Sequence, residues 1–303
     1  MTIVAGFCAA DGIVLAGDTM YSGGAKIHQP KLFSYSVALG ENPCSLAFAL
    51  TGNEAYGKMA IEDCVDEVRS AVSEERTIKS VKRALRKTIK RINEEYVDRR
   101  PEGERESVRL DLIIAASVPP DGLSLFKTHG AAVVAVRDYH CAGNGWYLGD
   151  YFMRNVFVRS MSMPEVVLLA VQAFWAVKSY DGTCGGDTQF LMLLPGGEVT
   201  VPVPYDITRL EGHMAEFEKL SRGLLLKLGD TVSTLQGLAE KDDDAEFEKE
   251  MADFIKQVRA IRSSWRHNQR EYTRDFFRRL TASMRGDAGS SKLAPLFQPP
   301  FQE

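Results

Sequence analysis

Thr2 offers the most chemistry per residue in this 303-residue chain. Removal of Met1 ahead of this small residue would leave Thr2 first, placing a hydroxyl nucleophile and a free α-amine on one residue. An α-amine, with an ordinary pKa of roughly 7.7–8.0, can accept the hydroxyl proton near neutral pH, as an ordinary lysine does not. Such a nucleophile still needs a neighbouring ammonium, to lower the amine's pKa and steady the developing alkoxide, and a carboxylate to hold that ammonium in place. A Met-Thr start alone carries no weight. The competing reading makes Thr2 an ordinary strand residue behind a retained Met1.

The surrounding elements determine whether such partners can converge. Thr2–Cys8, Gly12–Gly17, Leu32–Val37 and Leu46–Leu50 read as strands bounded by turn residues. The period then changes: Ile61, Val65, Val68 and Val72, followed by Ile78, Val81, Leu85, Ile89, Ile92 and Tyr96, predict two antiparallel helices ending near Arg99-Arg100-Pro101. Strands return at Leu110–Ala116, Leu123–Lys127 and Ala131–Val136, with a hairpin turn at Pro119–Gly122. Trp146–Arg159 and Pro164–Lys178 predict two more helices, and Thr188–Leu194 with Glu198–Val203 a last hairpin. Strands, helix pair, strands, helix pair, strands suits an α+β fold with two sheets face to face and helix pairs outside.

Short motifs occur in a telling order along this scaffold. Thr2-Ile-Val-Ala-Gly, Asp11-Gly-Ile-Val-Leu-Ala-Gly-Asp18-Thr, Lys31-Leu-Phe and Leu50-Thr-Gly52-Asn resemble the opening of proteasome β-type subunits and of the bacterial proteasome-like threonine peptidases. Cys141-Ala-Gly-Asn-Gly, the run from Pro164, and Asp181-Gly-Thr-Cys-Gly-Gly are similar to later segments of that N-terminal nucleophile hydrolase family, so the likeness covers roughly residues 2–205. The resemblance implies a four-layer αββα sandwich. It also implies Thr2 as nucleophile, Lys31 beside its amine, Asp18 orienting Lys31, and the Gly52 amide as oxyanion donor. Asn144 and Cys184 stand where the family has serines that relay protons; asparagine has no hydroxyl, and a thiol donates weakly. Asp181 reads either as a helix-end turn residue or, preferably, as a carboxylate paired near the nucleophile. Cys184 taken alone is an inert small hydrophobe. By the same resemblance Leu50 and Glu54 line the primary specificity pocket, Glu54 favouring basic or polar side chains, and Tyr21 and Ser22 lie on the substrate-binding edge.

The expected activity is threonine-type cleavage of peptides or unfolded proteins, inside a homo-oligomeric ring that an ATPase unfoldase could feed, with no metal or organic cofactor. A catalytically silent ring or scaffold subunit, and an amide hydrolase acting on small molecules, are the alternatives.

Beyond residue 205, Ile207, Leu210, Met214, Phe217, Leu224, Leu228, Leu235 and Leu238 follow heptad-like spacing. Met251, Phe254, Val258, Ile261, Trp265 and Tyr272 do so after the acidic stretch Glu240–Glu250. These predict a helical hairpin over 206–285 appended to a domain over 1–205, with a flexible tail over 286–303. Arg262, Arg266, Arg270, Arg274 and Arg278 form a basic stripe there. Pairing with the acidic stretch or a neighbouring subunit is preferred to nucleic-acid binding, because 37 Lys+Arg against 41 Asp+Glu leave a net charge of -4. A hydrophobic fraction of 45% and a charged fraction of 26% exclude the disordered and fibrous classes. No stretch approaches the ~20 apolar residues of a bilayer span. The start lacks a signal-peptide pattern, and Cys8, Cys44, Cys64, Cys141 and Cys184 form no paired framework, so a cytoplasmic location is expected.

Overall fold

Ile3–Cys8 (β1) and Ile13–Asp18 (β2) pair antiparallel across the Asp11-Gly12 turn, and both are almost wholly buried. Met20–Gly23 (β3) and Ala25–His28 (β4) form a separate hairpin. Leu32–Ala38 (β5), Cys44–Gly52 (β6), Leu110–Val118 (β7), Gly122–His129 (β8) and Ala132–Val136 (β9) build one five-stranded sheet in sequence order. The other sheet runs β10-β1-β2-β11-β12, with Tyr139–Gly143 (β10), Thr188–Leu193 (β11) and Val199–Thr200 (β12). These ladders are all antiparallel, so the chain is a mixed α/β fold of two antiparallel sheets with helices. This computed structural model describes residues 2–23, 25–38, 43–202, 204–235, 248–249, 251–260 and 263, and for 22–23, 25–27, 204–206 and 224–235 it describes the backbone alone.

Helices Glu54–Glu74 (α1) and Ile78–Ile92 (α2) pack on the β5–β9 sheet. Asn53 caps α1 by accepting the Tyr56 N–H at 3.2 Å, and Thr77 caps α2. Their exposed pairs Glu75–Arg83, Glu67–Lys87 and Asp63–Arg91 fall in one number as they rise in the other, as antiparallel helices require. The helical run predicted through Tyr96 changes its winding: α2 ends as α-helix at Ile92 and continues as a π-helical turn, Asn93–Val97. A short turn of helix, Arg105–Val108 (α3), leads into β7. Trp146–Arg154 (α4), shorter than predicted, and Met163–Tyr180 (α5) follow β10. Ser162 and Glu165 form the capping box of α5, with Pro164 in its first turn.

Strand parity divides the core. Even residues of β6 (Leu46, Phe48, Leu50) face α1 and α2. Odd residues (Ala47, Ala49), together with Ile113, Ala115 and Leu125, meet Val4, Ile13, Leu15 and Ala142 of the other sheet. Three strands had no sequence signal. Tyr139–Gly143 lacks apolar alternation and is a strand because β1 needs a partner, Ile3 opposite Gly143. The β3–β4 hairpin is too short and polar to register.

The chain divides into two compact units, Met1–Glu211 and Gly212–Glu303. Pro204–Leu235 (α6) begins in the first. In the second, residues 248–249 and 251–260 are also helical, with Met251, Phe254 and Val258 half-buried between exposed positions. The side chains of Leu224, Leu228 and Leu235 lie outside the described residues, as do Leu238, Glu240–Phe247, Ile261, Trp265, Tyr272, the arginine stripe from Arg262 and the tail over 286–303. Among the described residues no helix is long and apolar enough to cross a membrane.

Candidate functional site

Thr2, Asp18 and Lys31 converge from three segments: the lead-in to β1, the last residue of β2 and the residue before β5. The Thr2 hydroxyl donates to Asp18 Oδ1 and accepts from Lys31 Nζ. Lys31 also donates to Asp18 Oδ1 at 2.6 Å and to the Met20 carbonyl at 2.5 Å, which gives each of its three ammonium protons an acceptor. Asp18 accepts in addition from the Ile3 N–H at 3.1 Å and, on Oδ2, from the Gly185 N–H at 2.8 Å. Both members of the ion pair are 0% exposed, and Thr2 is 3% exposed. Burial pushes the Lys31 ammonium down from its ordinary pKa, and the Asp18 carboxylate opposes that fall. The Tyr21 ring lies 4.6 Å from Lys31 Nζ, giving the cation an aromatic face as well.

Glycines make the close approaches possible. Gly143, at φ +90°, lies so near Thr2 that a Cβ there would sit 2.3 Å from the Thr2 carbonyl oxygen. That carbonyl accepts the Gly145 N–H at 3.3 Å, and Gly145 also packs against Cys184 and Ile3. Cys184 is buried, and its thiol is pushed up to about 12, by burial first and then by the Asp18 and Asp181 carboxylates. It is therefore a protonated packing residue. Asp181 takes its turn reading, not the preferred paired-carboxylate one. Its backbone N–H caps α5 on Val177, its carboxylate accepts the Thr183 N–H at 2.9 Å and hydroxyl at 2.6 Å, and among the described residues it makes no bond to Thr2 or Lys31. Among the described residues, no three His, Cys, Asp or Glu side chains lie close enough to share a metal ion.

A cleft of about 850 Å³ opens beside this cluster, at the mouth of the gap between the sheets. Tyr21, Gly52, Gly143 and Asn144 line it, Asn144 as an exposed side chain. Gly52 ends β6 at φ +95°, pressed against the Arg109 carbonyl. Leu50 and Glu54 are not among its lining residues. Leu50 is 0% exposed and faces α1, where Gly57 leaves room for it, because its even number sends it to the helix side of the sheet. Its neighbour Thr51 points the other way and lines the cleft. Glu54, in the first turn of α1, pairs with Lys58 at 2.6 Å. Ser22 lies on β3, its side chain outside the described residues. The sequence reading missed Thr51, the Met20 carbonyl and the Gly185 amide; parity along β6 could have found the first, but backbone donors and acceptors have no residue-type signature.

No protein-family model matches the chain, and no curated protein does. Solved structures do. The chain is similar to an Anbu Gly-1 mutant from Hyphomicrobium sp. strain MC1, at 12% identity and TM-score 0.59 over 80% of this chain and 100% of that one. Anbu, titled an ancestral beta-subunit, from Yersinia bercovieri gives 11% identity and TM-score 0.58 over 75% and 97%. A further Anbu structure from Hyphomicrobium sp. strain MC1 gives 14% and 0.52 over 80% and 99%. The likeness to proteasome β-type subunits and bacterial proteasome-like threonine peptidases is thereby corrected. The ordered glycine, Asp-Gly and Lys motifs report the geometry such a fold demands rather than membership of those families, and the fold this chain shares is that of the Anbu structures.

Proposed function

We propose that this chain is a threonine-type amide hydrolase that cleaves peptide bonds with Thr2. Loss of Met1 frees the Thr2 amine. Thr2 Oγ1 then attacks a peptide carbonyl carbon, and its proton passes to that amine and on to the leaving nitrogen as the C–N bond breaks. The Lys31 ammonium steadies the alkoxide as it forms, and Asp18 holds Lys31. Water hydrolyses the resulting ester and restores the hydroxyl. The single observation that supports this is the Lys31 ammonium, fully buried and donating to the Thr2 hydroxyl. Packing alone gives no reason to bury a cation against a threonine, since lysine is seldom buried without a task. Gly52, lining the adjacent cleft, supplies the oxyanion donor. The arrangement of helices outside both sheets is part of the same reading, as the four-layer αββα architecture of N-terminal nucleophile hydrolases. Assembly into a homo-oligomeric ring in the cytoplasm belongs to it too, in line with the beta-subunit wording of one neighbour's title.

A catalytically silent subunit is the second reading, favoured by the 3% exposure of Thr2. One experiment separates the two: intact-mass measurement of purified protein together with hydrolysis of a mixed peptide pool by wild type, Thr2→Ala and Thr2→Ser. The expected result is loss of Met1, turnover by wild type, a fall of roughly 10³-fold or more in Thr2→Ala and partial activity in Thr2→Ser. Retention of Met1, or no turnover by wild type, selects the silent subunit, and turnover undiminished in Thr2→Ala excludes Thr2 as the nucleophile.

A further inference from the structure

The cleft beside Thr2 holds its charges unevenly. Arg109 is already shared between Glu106 and Asp111, both at 3.6 Å. Lys127, on β8, is half-buried and has no carboxylate within 4 Å and no hydrogen-bond acceptor among the described residues. Its position follows from parity. Leu125, two residues earlier, faces the gap between the sheets, so Lys127 does as well, nearer the mouth. His140 on β10 stands two residues before Ala142, which faces the same gap from the opposite sheet. Lys127 and His140 thus look across the cleft at each other. Burial, and then the Lys127 charge, push His140 down to about 4, so it is neutral near pH 7 and neither repels nor replaces a ligand's charge.

We propose that Lys127 makes this cleft a receptor for a carboxylate carried by a peptide ligand. The inference rests on the reading that the cleft receives substrate, and it names the substrate's character: acidic, in place of the basic or polar preference expected from Glu54. Glu54 is occupied by Lys58 and is not among the cleft's lining residues. A half-buried ammonium with no counter-charge among the described residues has lost hydration and gained nothing for it; a ligand carboxylate supplies a charge-assisted hydrogen bond worth about 1.5–3 kcal/mol, roughly ten- to a hundredfold in affinity. The carboxylate has two sources, a Glu or Asp side chain or the peptide's own C-terminus.

The test measures binding in the full chain carrying Thr2→Ala, so that it does not depend on turnover. Rhodamine-labelled peptides differing only by Glu, Gln or Lys at a central position, each with an amidated or a free C-terminus, are titrated by fluorescence polarisation. The Glu peptide is expected to bind at least tenfold more tightly than the Gln peptide, and the Lys peptide most weakly. Lys127→Met should erase that order at an unchanged melting temperature, and Lys127→Arg should restore it. Preference that follows the free C-terminus instead of the central residue supports the same anchor and identifies the terminal carboxylate as its ligand. Glu and Gln peptides that bind alike with free and amidated ends also alike, including no binding at all, overturn the proposal, as does a preference that survives Lys127→Met. If these arms succeed while Thr2→Ala leaves turnover unchanged, the anchor stands and the peptidase reading alone falls.

Discussion

Lys31 is the residue on which the site's chemistry and the protein's stability meet. All three of its ammonium protons are engaged, and its charge faces Asp18 in a pocket from which both side chains are fully excluded from water. Removing one partner of such a pair leaves an uncompensated buried charge. Lys31→Met is therefore expected to destabilise the protein by about 3–5 kcal/mol, and adding Asp18→Asn to it should recover part of that loss, as read by urea unfolding of the two variants against wild type. A loss below about 1 kcal/mol in Lys31→Met would mean that water reaches the pair. Thr2, Asp18 and Lys31 were legible as a group from their residue types and their order along the chain, a hydroxyl, a carboxylate and an ammonium at the ends of successive strand segments. Asp181 was not placed correctly, because the same Asp-x-Thr sequence serves equally well as a helix-terminating turn, with Thr183 closing on the carboxylate.

Among the elements, β6 shows how a local rule decides a functional assignment. The strand itself and its glycine end could be read from sequence, but the faces of Leu50 and Thr51 depend on which side the helices cover, and one step of register exchanges them. β10 was hidden because its strand character comes from the bare edge of β1, not from its own residues. A third feature links α5 to the start of α6. Lys178 donates to the Gly186 carbonyl at 3.0 Å, the Thr188 hydroxyl at 2.9 Å and Glu211 at 2.6 Å, with side chains 12% and 17% exposed across the ion pair. The next residue back, Gly185, gives its N–H to Asp18. Glu211→Gln is expected to lower stability by roughly 1–2 kcal/mol and to raise amide exchange in a peptide covering residues 181–188, by hydrogen–deuterium mass spectrometry. Unchanged exchange there would mean the loop is held without the pair.

At the scale of the molecule, the two hydrophobic clusters described above for the sheets lie, among the described residues, between Val4 and Val201. A chain ended at Glu211 keeps those clusters and the Lys178 partner, and is expected to unfold in one cooperative transition, followed by circular dichroism against temperature; a broad, non-cooperative melt would show that the core needs residues beyond 211. The two-sheet plan was legible because strand and helix periods alternate in blocks along the first 200 or so residues, with turn residues between them. The helical character after residue 205 was legible from its heptad spacing. The family likeness misled, because motifs that satisfy backbone geometry recur wherever that geometry does. The near-complete burial of Thr2 also sets an order of events. An aminopeptidase must grip the chain on both sides of the bond it cuts, and the docked strand denies it the second hold. If Thr2 works through its amine, that amine must be freed before β1 docks.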